Sequence, residues 1–218
     1  MKVSIERPGV VHVVDDDARF RTALGRALSA AGHAPRLYGS AAEYLAADDS
    51  EGPACLVVDL RMPGTTGLDL QEALARRGDS HPVIFLSAHG DVPSTVRAMR
   101  NGALDFLTKP VPTAVLLEAI GRALEQDVER KRDFVHTTEL KRRYSTLTPR
   151  ERQVMAGVIA GRLNKQICYA LQSAERTVKT HRARVMEKMN VASVAELVRR
   201  AEELTAAGVT LEPTPPGL

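Results

Sequence analysis

Three aspartates, a serine and a lysine in the first half of the chain could together handle a phosphoryl group. Asp15 and Asp16 follow the apolar run VVHVV, and Asp59 ends the run CLVVD. Clustered carboxylates repel each other and need a cation, and oxygen ligands suit Mg²⁺. Because aspartate can form an acyl phosphate, Asp59 is the candidate phosphoryl acceptor. Ser87 could then hydrogen-bond a phosphoryl oxygen, and Lys109 could supply a second positive charge.

Each of these residues has an ordinary structural explanation when it is taken alone. A run of aspartates commonly begins a solvated helix, because carboxylates stabilise a helix N-terminus. An aspartate at the end of a strand is common in turns, and a Lys-Pro pair is common in loops. Their combined positions favour a site, because the groups follow four different runs that are typical of strands.

The first half of the chain alternates strand and helix patterns, which predicts a parallel sheet covered by helices on both faces. The strands are predicted at 10–14, 34–38, 55–59, 82–87 and 103–108. The helices are predicted at 18–31, after the cap Ser40, at 67–77, at 92–101 after the cap Asp91, and from Thr113 with the apolar stripe Leu117, Ile120, Leu124 and Val128. Ligands of such sheets bind beyond the carboxyl ends of the strands. With strand order 2-1-3-4-5, the three aspartates would converge there.

Residues 10–125 resemble the receiver domain of bacterial two-component response regulators. The resemblance rests on VVDDD, VVDLRMPGTTG, LSAHGD and GALDFLTKP. It implies a flavodoxin-like, doubly wound five-stranded sheet and a magnesium site made by Asp15, Asp16, Asp59 and the backbone carbonyl of Arg61. Asp16 would be a direct ligand, and Asp59 would accept a phosphoryl group from a phosphohistidine on a partner histidine kinase.

The same resemblance assigns three further residues near the ends of the fourth and fifth strands. Ser87 would be the switch hydroxyl, Phe106 the aromatic switch and Lys109 the lysine of the site. It also implies a cis peptide bond between Lys109 and Pro110. Many relatives carry Thr and Tyr in place of Ser87 and Phe106. Serine keeps the hydroxyl, whereas the inward position of Phe106 would rest on packing alone.

Charge is distributed unevenly along the 218 residues of the chain. Residues 1–125 hold 13 Lys and Arg against 16 Asp and Glu, a net charge of −3. Residues 126–218 hold 17 against 11, a net charge of +6. An acidic half joined to a basic half suits a second module that binds a polyanion. The alternative is an uneven surface charge without such a partner.

The second half predicts a charged connector followed by short helices. Residues 126–145 could extend the fifth helix or form a flexible connector, and the weakening apolar stripe favours a partly helical linker. Thr148-Pro149-Arg150-Glu151 forms a capping box that begins a new domain, and Asn164 is the expected cap of its second helix. The expected core positions of its four helices are Val154, Val158, Ile159, Ile167, Leu171, Val178, Val185, Met189, Val194, Leu197 and Val198.

Residues 146–200 resemble the four-helix DNA-binding domain of the LuxR/GerE type through LTPRE, NKQI and TVKTHRARVMEKM. With the receiver, this resemblance is to FixJ-like response regulators. Lys179 and Thr180 are the expected base contacts of a recognition helix in the major groove. The expected phosphate contacts are Arg176, Arg182, Arg184 and Lys165. Arg182 lies nearer the core stripe, so it could instead snorkel to the backbone. Charge alone would equally suit a solvated face of a helical bundle.

The turn before the expected recognition helix departs from the pattern of many relatives. CYALQSA stands where ARxLGIS is common, so Gln172 replaces a turn glycine and Ala174 replaces a capping serine. Cys168 and Ser173 replace Ala and Ile. Ser173 could cap the helix one residue early.

Composition indicates a soluble globular protein, with 44% hydrophobic and 26% charged residues. No apolar run approaches the ~18 residues of a membrane span, and MKVSIERPG lacks the core of a signal peptide. We therefore expect a cytoplasmic protein without a membrane partner. In a reducing compartment, Cys55 and Cys168 are expected to be small core residues.

These features predict a transcription regulator that is not an enzyme, with domains at 10–125 and 146–204 between tails at 1–9 and 205–218. Phosphorylation of Asp59 would control dimerisation and binding to promoter DNA. RNA polymerase is a further candidate partner. Two other classes stay open. A second catalytic acid two residues after Asp59 would favour a phosphohydrolase that uses aspartyl phosphate, but Arg61 stands there. A constitutive DNA-binding protein would not need the acidic pocket.

Overall fold

The computed structural model describes residues 9–47, 52–88 and 91–213 and divides the chain into two compact units, with the division after Lys131. The first unit contains a parallel sheet with helices between its strands, and the second unit is helical. One helix, Thr113–Ser145, contributes residues to both units. No helix among the described residues is long and apolar enough to cross a membrane.

The sheet of the first unit has the predicted order 2-1-3-4-5, and every neighbouring pair of strands is parallel. Its strands are β1 (Val10–Val14), β2 (Ala34–Tyr38), β3 (Ala54–Asp59), β4 (Val83–Ser87) and β5 (Asp105–Thr108). The order places β1 beside β3, so Asp15 and Asp59 come to neighbouring strand ends. This order confirms the predicted doubly wound fold.

Four helices connect the five strands, namely α1 (Ala18–Ala30), α2 (Ala41–Ala46), α3 (Gly67–Arg77) and α4 (Val92–Arg100). The predicted caps Ser40 and Asp91 are confirmed, because their side chains accept hydrogen bonds from the amides of Glu43 and Ser94. A side-chain oxygen at this position satisfies an amide that has no partner within the helix.

The two faces of the sheet bury two apolar clusters. Val14, Leu56, Val58 and Phe85 pack on one face with residues from α2, α3 and α4. Val11, Val13, Cys55, Val57 and Ile84 pack on the other face with residues from α1 and the long helix Thr113–Ser145. Because side chains alternate along a strand, burial on both faces requires continuous apolar strands.

The helix α5 (Thr113–Ser145) corrects two predictions. Residues 126–145 are helical throughout rather than partly helical. The buried stripe of α5 also differs from the predicted one, because Leu117, Leu124 and Val128 are half-buried while Leu116, Ala119, Ile120, Ala123 and Asp127 are buried. The sequence obscured this stripe because one of its members is a charged residue.

The second unit packs the end of α5 with α6 (Pro149–Ile159), α7 (Asn164–Ala170), α8 (Glu175–Met189) and α9 (Val194–Ala206). The capping box at Thr148 and Glu151 is confirmed. The core includes most predicted positions together with residues from the end of α5, and its fully buried members are Val154, Ile167, Val178, Leu197 and Leu204. Ile159, Val194 and Val198 are only partly buried.

Residues 205–213 belong to the predicted flexible tail, and part of this segment packs on the second core. Gly208 has a φ of 79°, and the Val209 amide donates to the Leu204 carbonyl oxygen at 2.9 Å. This reversal packs Val209 and Leu211 against the second core. The predicted domain limits at 125 and 145 stay predictions, and residues 1–8 and 214–218 lie outside the described residues.

Candidate functional site

Three carboxylates meet at the carboxyl ends of β1 and β3. Oxygens of Asp15, Asp16 and Asp59 all lie within 4.8 Å of one another, and Asp15 is buried, Asp59 half-buried and Asp16 exposed. The parallel pairing of β1 with β3 brings these groups together from distant parts of the sequence. This cluster is the one that the sequence predicted.

Backbone amides hold two of these carboxylates in place. The Asp17 amide donates to Asp15 Oδ1 at 2.9 Å, and the Arg61 amide donates to Asp59 Oδ1 at 3.2 Å. The second bond turns the chain directly after β3, where Gly67 also approaches closely. A Cβ atom on Gly67 would lie 2.4 Å from the Asp59 carbonyl oxygen, so this approach requires glycine.

Lys109 bridges the two inner carboxylates. Its Nζ lies 2.6 Å from Asp15 Oδ2 and 2.8 Å from Asp59 Oδ2, with only 16% of the side chain exposed. The same ammonium lies 4.1 Å from the centre of the Phe20 ring, a cation–π contact that the sequence did not predict. The predicted cis peptide bond between Lys109 and Pro110 is confirmed.

At both Asp15 and Lys109, burial and neighbouring charges shift the pKa in opposite directions. Burial raises the pKa of the Asp15 carboxyl, and the hydrogen bond from Lys109 opposes this shift only in part. Burial alone would lower the pKa of Lys109, but its hydrogen bonds to Asp15 and Asp59 outweigh burial and raise it. The lysine is therefore held in its charged form, while the buried carboxylate still favours additional positive charge.

Ser87 and Phe106 lie on the neighbouring strands. Ser87 is 1% exposed at the end of β4, and its carbonyl oxygen accepts a hydrogen bond from the Lys109 amide at 2.8 Å. The half-buried Phe106 stacks on Phe85 with 6.1 Å between ring centres. The role of Phe106 as the aromatic switch stays a prediction.

The carboxylate oxygens of Asp15, Asp16 and Asp59 form an acidic mouth at the carboxyl ends of β1 and β3, and they fit a hard divalent cation. Three carboxylates within 4.8 Å of one another provide negative charge in a partly buried site, and the Arg61 peptide adjoins them through its amide. Mg²⁺ prefers such oxygen ligands and keeps several waters, which the exposed side at Asp16 allows. The Arg61 side chain points to solvent and lies 3.4 Å from the Asp91 carboxylate.

In the second unit, α8 presents a basic, exposed face opposite its core face. Val178, Val185 and Met189 are buried, as predicted. Arg176, Lys179, Thr180 and Arg184 are exposed. Lys179 Nζ lies 3.1 Å from Glu175 Oε1, but both side chains are about half exposed. A weak surface ion pair leaves such a lysine able to bind another partner.

Known families match both units. Residues 11–121 match the family described as response regulator receiver domain, and residues 145–201 match bacterial regulatory proteins of the luxR family. The chain belongs to the two-component response regulators with a LuxR-type DNA-binding domain. This confirms the resemblance found in the sequence. The family consists of transcription regulators, and its receiver domains generally bind Mg²⁺ at an acidic pocket.

Several relatives match this chain over most of its length. Nodulation protein W of Bradyrhizobium diazoefficiens is 43% identical over 195 residues, covering 89% of this chain and 86% of that protein. Transcriptional regulatory protein FixJ of Rhizobium meliloti is 42% identical over 191 residues, covering 88% and 94%. The structure of response regulator StyR has a TM-score of 0.83 at 43% identity, and the match covers 90% of this chain and all of that chain, 100%.

Two other residues predicted to contact DNA in this response regulator have different surroundings. Lys165 is exposed on α7. Arg182 is partly buried, and its Nη1 donates to Asn164 Oδ1 at 3.0 Å. Asn164 was predicted to cap this helix, but the structure places it as the first residue of α7. Leu163 occupies the cap position.

The turn before α8 corrects a second predicted cap. Ala174 is the N-cap and makes no side-chain bond, and Ser173 does not cap the helix. The Ser173 hydroxyl donates instead to the Leu171 carbonyl oxygen at 3.2 Å. Gln172 has a φ of 47°, which agrees with the observation that it replaces a turn glycine.

Sequence reasoning also missed a buried ion pair in the LuxR-type domain. Glu151 is 2% exposed, and its carboxylate lies 2.6 Å from Lys188 Nζ on α8. Burial alone would raise the pKa of the Glu151 carboxyl. The hydrogen bond from Lys188 outweighs this effect and holds the pKa below its usual value. Only the capping-box position of Glu151 was visible in the sequence, because its distant partner has no fixed spacing.

Proposed function

We propose that this response regulator accepts a phosphoryl group on Asp59 from a partner histidine kinase and thereby controls DNA binding. The bridge that Lys109 makes to Asp15 and Asp59, beside Asp16, is the observation that carries this proposal. It places a nucleophilic carboxylate, a fixed cation and further oxygen ligands at one mouth. This is the arrangement that transfer of a phosphoryl group to an aspartate requires.

Asp15, Asp16, Asp59 and the Arg61 carbonyl would hold Mg²⁺. When bound, the ion supplies positive charge to the oxygens of the transferring group and holds them in line. Asp15 and Asp17 support this role, because the Asp17 amide fixes one oxygen of Asp15 at 2.9 Å. Lys109 and Ser87 would act directly on the phosphoryl group.

An oxygen of the Asp59 carboxylate attacks the phosphorus of the kinase phosphohistidine. The new O–P bond forms as the N–P bond breaks, and the bonding electrons return to the imidazole nitrogen. Lys109, which lies 2.8 Å from Asp59 Oδ2, then contacts a phosphoryl oxygen and stabilises its charge. The product is an acyl phosphate on Asp59.

The phosphoryl group would be sensed by the neighbouring strand ends. The Ser87 hydroxyl would move to donate a hydrogen bond to a phosphoryl oxygen. Phe106 would change its packing as Ser87 moves. A change of this kind shifts a pre-existing equilibrium between two states of the receiver. The active state would form a homodimer.

The output would be binding to double-stranded promoter DNA through α8. Lys179 and Thr180 would contact base edges, and Arg176, Arg182, Arg184 and Lys165 would contact phosphates. A dimer would place two α8 helices on a two-fold related site. RNA polymerase is a proposed further partner. We propose that the protein acts in the cytoplasm and is not an enzyme in its own right.

The central test replaces the acceptor. We expect Asp59→Asn to abolish uptake of labelled phosphate from acetyl phosphate and Mg²⁺, because the amide is a poor nucleophile. Asp133→Asn, an exposed position on α5, should leave uptake unchanged. Gel filtration and DNA binding before and after phosphorylation should show a shift only in proteins that retain Asp59.

Other outcomes would support the competing functions. Unchanged labelling of Asp59→Asn would overturn the acceptor assignment. Continuous release of inorganic phosphate at catalytic rates would indicate a phosphohydrolase. DNA binding that ignores phosphorylation would indicate a constitutive regulator with a silent receiver.

A further inference from the structure

The turn before α8 lacks the features that normally fix the start of a helix. Ala174 stands at the N-cap, where its side chain cannot accept a hydrogen bond from the first turn. Gln172 occupies the left-handed region that favours glycine, with a φ of 47°. The orientation of α8 therefore depends on contacts from other parts of the domain.

Arg150, in the first turn of α6, supplies such contacts. Its Nη2 donates to the Leu171 carbonyl oxygen and to the Ser173 hydroxyl. Its Nη1 donates to Gln153 Oε1 at 3.1 Å. Because a guanidinium is planar and offers several donors in fixed directions, it ties the turn on both sides of Gln172.

The next residue along α6 contacts the opposite end of α8. Glu151 accepts a hydrogen bond of 2.6 Å from Lys188 Nζ, and Lys188 is the penultimate residue of α8. Glu151 is itself fixed by the capping box with Thr148. Two consecutive residues, Arg150 and Glu151, therefore tie α6 to both ends of the helix that carries the proposed DNA contacts.

We propose that Arg150 is a positioning residue that sets the orientation of α8 for base recognition, with the Ser173 hydroxyl as its partner. This inference rests on the proposed function of α8 in DNA binding. Loss of Arg150 would free the uncapped first turns of α8, where Lys179 and Thr180 lie close by. Base edges are read by directed hydrogen bonds, whereas phosphates are contacted mainly through charge. Misorientation would therefore weaken specific binding more than nonspecific binding.

The test compares full-length Arg150→Gln with Arg199→Gln, which removes the same charge from an exposed site on α9. The specific probe is the duplex that the wild-type protein, treated with Mg²⁺ and acetyl phosphate, selects from a random-sequence pool. A scrambled duplex measures nonspecific binding. We expect Arg150→Gln to bind the selected duplex about tenfold more weakly and the scrambled duplex within about twofold of wild type.

Hydrogen exchange in the free protein gives a second readout. Amides of residues 172–178 should exchange faster in Arg150→Gln, and adding Ala174→Ser should restore protection at residues 176 and 177, because a serine N-cap accepts hydrogen bonds from these amides. Ser173→Ala removes the hydroxyl that accepts from Arg150 and donates to the Leu171 carbonyl oxygen, and it should weaken specific binding about threefold. It also serves as the test variant if Arg150→Gln does not fold.

Two results would overturn the inference. An equal loss on both duplexes, with a salt dependence lower by about one ion, would show that Arg150 contacts a DNA phosphate directly. Unchanged affinity and exchange would show that the turn does not need Arg150. If the wild-type protein selects no sequence, the proposed function fails, whereas the exchange measurement still decides whether Arg150 anchors the turn.

Discussion

His12 is a buried histidine at the middle of β1, enclosed by aromatic rings. It is 1% exposed, and its Nδ1 lies 3.2 Å from the Tyr38 hydroxyl. The Tyr44 ring meets it edge-on with 5.3 Å between ring centres. Burial, reinforced by the neighbouring His81 and Arg36, lowers the pKa of His12 from 6.5 to about 4. The folded receiver therefore holds this imidazole neutral.

This burial predicts a loss of stability in mild acid. Between the unfolded pKa of 6.5 and the folded pKa of about 4, the unfolded chain binds a proton that the folded chain excludes. Stability from His12 is thus complete above pH 6.5 and is lost as pH falls towards 4. Wild type should lose about 2 kcal/mol more than His12→Leu between pH 7.5 and pH 5, measured by urea unfolding.

The control for this prediction is His33→Gln, which changes a half-buried histidine after α1. It separates the effect of removing His12 from the effect of removing another histidine. Loss of the Tyr38 hydrogen bond in His12→Leu adds a nearly constant offset, so the slope with pH is the decisive quantity. Equal slopes for wild type and His12→Leu would contradict the assigned role of His12.

At the scale of elements, Asp127 ties α5 to the start of β3. Its buried carboxylate accepts hydrogen bonds from the Ala54 amide at 2.9 Å and from Lys131 Nζ at 2.8 Å. Lys131 Nζ also donates to the Gly52 carbonyl oxygen. The contact lies at the end of the sheet opposite the acidic mouth, because it joins the first residue of β3 and Asp59 is the last.

Asp127→Ala should destabilise the receiver by about 2 kcal/mol, because it leaves the Ala54 amide buried without its acceptor. Urea unfolding should show this loss, and hydrogen exchange should show faster exchange at Ala54. Asp133→Ala, on an exposed face of the same helix, is the matched control and should change stability by less than about 0.5 kcal/mol. Comparable stability of the two variants would show that this link is dispensable.

At the scale of the whole molecule, the two units have separate hydrophobic cores. The clusters on the two faces of the sheet draw on residues up to Leu124, and the helical cluster draws on residues from Leu140 onward. Because cooperative unfolding follows shared burial, each core should behave as its own cooperative unit. The helix α5 passes through both units but contributes different residues to each core.

Separate cores predict that a cavity in one unit spares the other. Leu56→Ala and Leu197→Ala each remove a fully buried side chain, from the sheet core and the helical core respectively. Each should destabilise its own unit by about 3 kcal/mol. Calorimetry with unit-resolved hydrogen exchange should show one transition moving in each variant. A common shift of both transitions would show that the units unfold together.

The sequence predicted the acidic site well because its residues stand at strand ends. Strand order 2-1-3-4-5 makes β1 and β3 neighbours, so it brings Asp15 and Asp59 together and leaves Lys109 at the same end of the sheet. The sequence predicted the α5 stripe less well, because Asp127 interrupts the apolar pattern and its partners are distant in the chain. It also missed the Phe20 ring beside Lys109, since no spacing rule links a helix residue to a residue after β5.

By itself, the sequence determined the fold class, the acidic cluster and the basic face of α8, because each depends on local periodicity or on strand order. Tertiary structure decided which polar groups are paired. In the folded chain, Ser173 pairs with Arg150 instead of capping α8, Asn164 pairs with Arg182, and Asp127 pairs with the first residue of β3. The physical reason is that a side-chain hydrogen bond depends on which donors and acceptors packing brings within about 3 Å, and residue order does not specify those distances.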